Sequence, residues 1–315
     1  MKKIMIGKCS IIIRAYNEEK HLGRLLEGIE RQTLKDVEVI LVDSGSTDAT
    51  VAIAESYGAT LVHIRPEEFT FGRSLNFGIK EATREFIVIV SAHVYPVYPD
   101  WLEWLLRPFQ DDRVALTYGK QRGPDSAKYS EQQIFHQWYP DASNLNQFTA
   151  FCNNANAAIR KSLWAQNPYD ETLTGLEDLA WAEWAKQKEY VIAYAAEAEI
   201  VHVHHEAPRG VFNRYRREAM AFKRIHPEAH FSVYDLFRLT MTNILSDLWH
   251  ALREHRLLKN FYSIFWFRAM QFYGTHMGYR DSSLVTPQLR ETFYYARARS
   301  TKIDSKRDVD PIRYK

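Results

Sequence analysis

Three sets of residues in this 315-residue chain have the types and spacing to do chemistry. The first is the acidic pair Glu177-Asp178, just after Gly175. A carboxylate there could take the proton of an attacking hydroxyl as a general base. An acidic pair at a helix start also suits the helix dipole without any chemistry. The second set is histidine. His93 follows the apolar run 86–90, and His202 and His204 lie two apart in a strand-like segment, hence on one face. Such a pair can ligate a metal or bind phosphate, or it can be satisfied by solvent and neighbours. His205 is expected on the other face. Imidazole is a poor partner for Mg²⁺, which prefers oxygen, and a better one for Mn²⁺ or a softer ion. His93 could instead give a hydrogen bond or positive charge to a phosphate with no metal. The third is Asp43, which ends the apolar run 37–42. Its carboxylate could accept from a uracil or thymine imide N–H or a ribose hydroxyl, or it could bond its own turn.

The elements that must position these residues alternate in type. Apolar, β-branched runs at 10–13, 37–42, 60–64 and 86–90 read as buried strands. Between them, Leu22, Leu25, Leu26 and Ile29 fall at helical spacing, with Asn17 as a candidate cap. Asp48 can cap a helix running to Tyr57, and a further helix covers 74–82. Strand–helix alternation predicts a doubly wound, mostly parallel sheet with helices on both faces. Ligands of such sheets bind beyond the carboxyl ends of the strands. That rule puts residues 14–18, 43–46 and 91–93 on one rim. The stretch 121–153 reads as a long loop, 176–188 as a helix, and 191–194 and 199–203 as strands. No Gly-x-Gly-x-x-Gly follows the first strand and no Walker loop occurs, which disfavours NAD, FAD and P-loop chemistry.

Only Cys9 and Cys152 occur, which excludes a disulfide framework and points to a reducing compartment. Residues 1–9 are too short for a signal-peptide core, and no run is long enough for a spanning helix. The formal charge of +2 hides a split. Residues 208–315 carry 20 Lys/Arg against 10 Asp/Glu, whereas residues 1–207 carry 21 against 29. Residues 208–315 also hold 19 of the 43 aromatic residues. Phe212, Tyr215, Ala219 and Phe222, and then Phe237, Met241, Ile244, Leu245, Leu248 and Leu252, fall at helical spacing among basic residues. Basic, aromatic amphipathic helices suit either a membrane interface or packing on protein. No nucleic-acid module is recognisable, so no nucleic-acid partner is expected.

Five motifs in order carry a family resemblance over about residues 8–207. They are 12–18 (IIRAYNE) with 42–48 (VDSGSTD), 71–78 (FGRSLNFG), 154–160 (NANAAIR), 176–179 (LEDL) and 201–204 (VHVH). Together they resemble glycosyltransferase family 2 with its GT-A fold, and most closely the bacterial rhamnosyltransferase-like members that build surface polysaccharides. Leu75 stands where the family often has Arg. The resemblance implies a nucleotide-sugar site from Ala15, Asn17, Glu18, Asp43, Ser44, Gly45, Arg73, Asn76, Ser91, Ala92 and His93. It implies acceptor-side roles for Asn154 and Asn156, and catalysis by Asp178 or, second, Glu177. The family usually has Asp-x-Asp at 91–93, whose last carboxylate holds a metal against the diphosphate. Here Ser91-Ala92-His93 stands instead, so the expected metal site is His93 with His204, with Mn²⁺ favoured over Mg²⁺.

The expectation is a GT-A catalytic domain at 1–207 and a basic helical extension at 208–315. The enzyme would be cytoplasmic and inverting. Its donor would be a nucleoside-diphosphate sugar, and its acceptor a saccharide, free or lipid-linked. The extension would meet the inner face of an anionic plasma membrane or a second subunit. Alternatives are a polyprenyl-phosphate glycosyltransferase and a non-catalytic nucleotide-sugar-binding protein. Glu177-Asp178 argues against the latter.

Overall fold

The computed structural model describes residues 8–204, 207–280 and 309–314. Its first part runs β1 (Lys8–Ala15), α1 (Leu22–Glu30), β2 (Asp36–Asp43), α2 (Thr50–Ser56), β3 (Thr60–His63), α3 (Phe71–Glu81) and β4 (Phe86–Ser91). Then come β5 (Val94–Pro96), α4 (Trp101–Leu106), β6 (Val114–Arg122), α5 (Tyr129–Trp138), β7 (Asn156–Arg160), α6 (Lys161–Trp164), α7 (Glu177–Gln187) and β8 (Val191–His202). Three helices follow, α8 (Pro208–Ile225), α9 (Val233–Arg253) and α10 (Leu257–Arg280).

The strands form one sheet in the order β3-β2-β1-β4-β7-β6-β8-β5. Four pairings are parallel, and β4–β7, β6–β7 and β5–β8 are antiparallel, so the sheet is mixed. Alternation along β1 shows why both faces are covered. Ile11 and Ile13 join the core under α1 and α4, while Ile12 points into the core under α3 and α7.

Several local expectations are corrected. Asn17 does not cap α1, which begins at Leu22. It has a left-handed backbone (φ 55°), and its side-chain oxygen accepts from Thr47 N–H at 2.8 Å. The stretch read as a loop at 121–153 contains α5. The two strands expected at 191–203 are one, β8.

The basic aromatic segment is helical, as its periodicity suggested. α10 lies against α8 so closely that a Cβ at Gly274 would meet Phe212 O at 2.4 Å, and one at Gly278 would meet Arg216 O at 2.3 Å. α9 opens on a reciprocal cap between Ser232 and Asp235. Between α9 and α10, Arg268 is buried in a two-pronged pair with Asp247, at 2.7 and 2.9 Å. These helices are not detached from the sheet domain. Leu179 of α7 shares a core with Phe222 and Phe272, and Ile134 of α5 shares one with Val211 and Phe267. Residues 309–314 return to the first part of the chain, where Ile312 N–H donates to Val97 O at 2.9 Å. His205 and residues 281–308 of the expected extension lie outside the described residues.

Candidate active site

The parallel register sets Arg14 of β1 beside Ser91 of β4, and the chain then turns through Ala92 to His93. β5 next pairs antiparallel with β8, placing Val94 opposite His202, and Val203 N–H donates to His93 O at 3.0 Å. This pairing brings three histidines together that lie far apart in sequence. The ring centres of His202 and His204 are 4.0 Å apart, and His93 lies 5.1 Å from His202 and 5.8 Å from His204. One ring nitrogen from each lies within 4.8 Å of the others.

Each imidazole is oriented from behind. His93 Nδ1 faces Glu18 Oε1 at 2.7 Å, His202 Nδ1 faces Gln121 Oε1 at 2.8 Å, and His204 Nδ1 faces Glu131 Oε1 at 2.8 Å. Carboxylate and amide oxygens can only accept, so they place the proton on Nδ1 and leave the Nε2 lone pair for a ligand. Nε2 of His202 is buried with no hydrogen-bond partner. Burial, and then the nearby His204, His93 and Arg214, hold His202 well below the usual histidine range, so it stays neutral. Three converging imidazoles backed by acceptor oxygens, one of them with an orphaned buried nitrogen, fit a divalent metal. They suit a borderline ion better than Mg²⁺.

The histidines share a cleft of about 500 Å³ with Glu177 and Asp178. Both acids sit in the first turn of α7 and are almost fully buried. Leu176 before them is left-handed (φ 56°), a strained turn for a branched side chain. Asp178 accepts from Asn154 N–H at 2.9 Å and from Leu179 N–H at 2.8 Å. Glu177 accepts from the Asn154 side chain at 3.2 Å and pairs with Arg14 at 3.4 Å. Burial, and then the Glu177 charge, push Asp178 up to about 7 despite those donors and Arg14. The cleft also has cations. Arg14 and Arg217 both lie 4.8 Å from the Phe71 ring centre, and Arg214 donates to Glu131 at 3.1 Å. Arg214 and Arg217 belong to α8, so a division at 207/208 runs through the lining of the cleft.

Of the residues singled out from sequence, Glu18, Ser91, His93, Asn154, Glu177, Asp178 and His204 line this cleft. Others lie outside that lining. Asn156 is fully buried, accepting from Trp101 Nε1 and donating to Lys120 O and Ala198 O. An amide so used has nothing left for an acceptor. Asn76 is likewise consumed by Tyr169, Glu171 and Trp164. Arg73 pairs with Glu171 at 2.8 Å, and Ala92 is fully buried. Asp43 bonds its own turn, accepting from Gly45 and Ser46 N–H at 3.1–3.2 Å, with Gly45 at φ 89°. Ala15 and Ser44 are buried beside it, and Asn17 is bonded across to the same turn. None of these lines the cleft. Sequence reasoning placed Arg14 on the rim without a role, gave the site no Gln121, Glu131, Arg214 or Arg217, and ranked His202 behind His204. The two-residue spacing of the histidines was signal enough for His202. Glu131 was hidden by the misread helix α5.

Comparison with known proteins follows the same outline. The family model described as glycosyl transferase family 2 matches residues 10–165. The O-antigen chain rhamnosyltransferase WbaN of Salmonella anatum is 30% identical over 219 residues, covering 65% of this chain and 69% of that protein. The O-antigen chain rhamnosyltransferase RfbN of Salmonella typhimurium is 28% identical over 221 residues, covering 66% and 70%. Among solved structures, the mannosyltransferase PcManGT from Pyrobaculum calidifontis in complex with GDP-Man and Mn²⁺ superposes with a TM-score of 0.57 at 18% identity. It covers 87% of this chain and 88% of that one. S. aureus TarS in complex with UDP gives 0.53 at 19% identity, over 87% and 91%. At such identities the likeness is one of fold.

Proposed function

The chain belongs to glycosyl transferase family 2, with a GT-A-type fold, and is a glycosyltransferase; we propose that it is an inverting one, acting in surface polysaccharide synthesis. The donor in this reading is a nucleoside-diphosphate sugar. The acceptor is a hydroxyl of a saccharide, free or carried on a lipid. The relatives' O-antigen names and the nucleotides bound by the structural neighbours support both choices.

The observation that carries the reading is Asp178, a buried carboxylate with a raised pKa in the same cleft as three oriented imidazoles. The acceptor oxygen attacks the anomeric carbon from the face opposite the nucleotide. Its proton passes to Asp178, the new C–O bond forms, and the bond to the diphosphate oxygen breaks with its electron pair. The Asn154 and Leu179 N–H groups hold the base in place, and Glu177 holds the Asn154 side chain. Arg14, Arg214 and Arg217 supply positive charge for the departing diphosphate. His93, His202 and His204 would hold a divalent ion, Mn²⁺ in preference to Mg²⁺. When bound, it supplies Lewis-acid neutralisation of the diphosphate. The neighbouring mannosyltransferase with Mn²⁺ supports a metal in general. In this reading Glu18, which lines the cleft, lies on the nucleoside side.

Asp178→Asn keeps the shape and removes the base. Transfer should fall by roughly 10²-fold or more, a typical general-base contribution. Nucleotide affinity measured by calorimetry should stay near that of the parent. Near-normal turnover in the folded variant would remove Asp178 from the reaction.

A further inference from the structure

The outward face of α9 has no role in the cleft, and its chemistry is uniform. Phe237, Met241, Leu245, Trp249 and Leu252 recur every three or four residues, and each is more than half exposed. That spacing makes one continuous stripe along a helix of 21 residues. The stripe continues onto the start of α10 through Leu258, Phe261, Tyr262 and Phe265, which also share a face. Large side chains left in water over such a length mark an interaction surface.

Charge narrows the partner. The acids of α9 are turned inward, Asp235 into the helix cap and Asp247 into its pair with Arg268. Among the exposed residues from 232 to 265, Glu254 at the turn between the helices is the single acid. Two cations, Arg253 and Lys259, stay outside. Arg253 lies over the Trp249 ring at 5.1 Å, and Lys259 is exposed beside Leu258. Apolar and aromatic side chains flanked by cations are what an acidic lipid interface binds. A second copy fits less well, because a two-fold contact would set this cationic face against itself. No described helix is long and apolar enough to cross a membrane.

We propose that the outer face of α9 and the first half of α10 seats on an anionic lipid bilayer, lying in the plane of its headgroups. The seat is held rigidly to the cleft. α10 packs against α8 through the glycine contacts at Gly274 and Gly278, and α8 carries Arg214 and Arg217 into the cleft. Docking would thus present the cleft at a fixed distance from the bilayer, where a lipid-linked saccharide is held. That consequence rests on the glycosyl-transfer reading; lipid binding itself does not, so the two can fail separately.

The test is co-flotation of the full chain with vesicles of phosphatidylcholine mixed with phosphatidylglycerol, and with phosphatidylcholine alone. The chain should float with the anionic vesicles, less with the neutral ones, and less at high salt. The triple variant Phe237→Ser, Leu245→Ser, Trp249→Ser should bind at least about ten-fold more weakly. Circular dichroism and melting should show it folded, since these side chains are exposed. A milder check is Trp249→Phe, which should lose part of the tryptophan quenching given by bromine-labelled lipids. A chain that stays at the bottom with anionic vesicles overturns the proposal, as does unchanged quenching in Trp249→Phe. A sedimentation dimer broken by the triple variant, with no flotation, would give this face to a second copy instead.

Discussion

A carboxyl group can serve as a general base only while it is ionised. Burial and the Glu177 charge keep the proton on Asp178 up to about 7, so the sign of the pH effect is fixed. Transfer should decline as pH falls through that value. Glu177→Gln removes the neighbouring charge, which should move the acidic limb of kcat to lower pH. A limb that stays in place would mean another group titrates there. At the histidines, Glu18 orients His93 at 2.7 Å, without being placed among the metal-holding groups. Glu18→Gln should therefore weaken Mn²⁺ binding by about 10–100-fold, the usual size of such support, with the overall melting curve little changed. Direct titration of Mn²⁺ by electron paramagnetic resonance reads this without any turnover. Residue types and motif order pointed to Asp178, Glu177, His93 and His204, which the fold gathers at one cleft. They could not find Gln121 or Glu131, because these act only through side-chain orientation, which no spacing encodes.

Elements set the distances between those residues, and two of them were poorly legible. The helix α5 was read as a loop because its apolar positions, Ile134, Phe135 and Tyr129, face three different cores and give weak periodicity. The mixed pairing of β5 with β8 depends on long-range contacts, and local sequence carries no sign of it. By contrast, β1 to β4 were plain from their buried apolar runs. The packing of α9 on α10 includes one buried ion pair beside their shared apolar clusters. Asp247→Ala would leave Arg268 charged and unpaired among buried groups, and such losses cost about 3–5 kcal/mol. Urea unfolding should show a loss of that order. A loss under 1 kcal/mol would mean that water reaches Arg268 and that the helices are less tightly joined.

Across the whole molecule, the acidic half and the basic half of the chain meet at one cleft. The sheet supplies His93, His202 and Ser91, α7 supplies the acids, and α8 supplies Arg214 and Arg217. The charge asymmetry in the sequence pointed to two jobs for two segments; in the structure the basic segment also completes the acidic one's site. Composition could not show this, because it records how many arginines lie after residue 207 and not where α8 carries them. The central claim is that Asp178 directs an inverting transfer in this cleft. Nuclear magnetic resonance of the product tests it most directly, with the nucleotide-sugar chosen by the nucleotide the protein binds. The new linkage should have the anomeric configuration opposite to the donor's, and Asp178→Asn should form little of it. A product that keeps the donor's configuration would contradict the account.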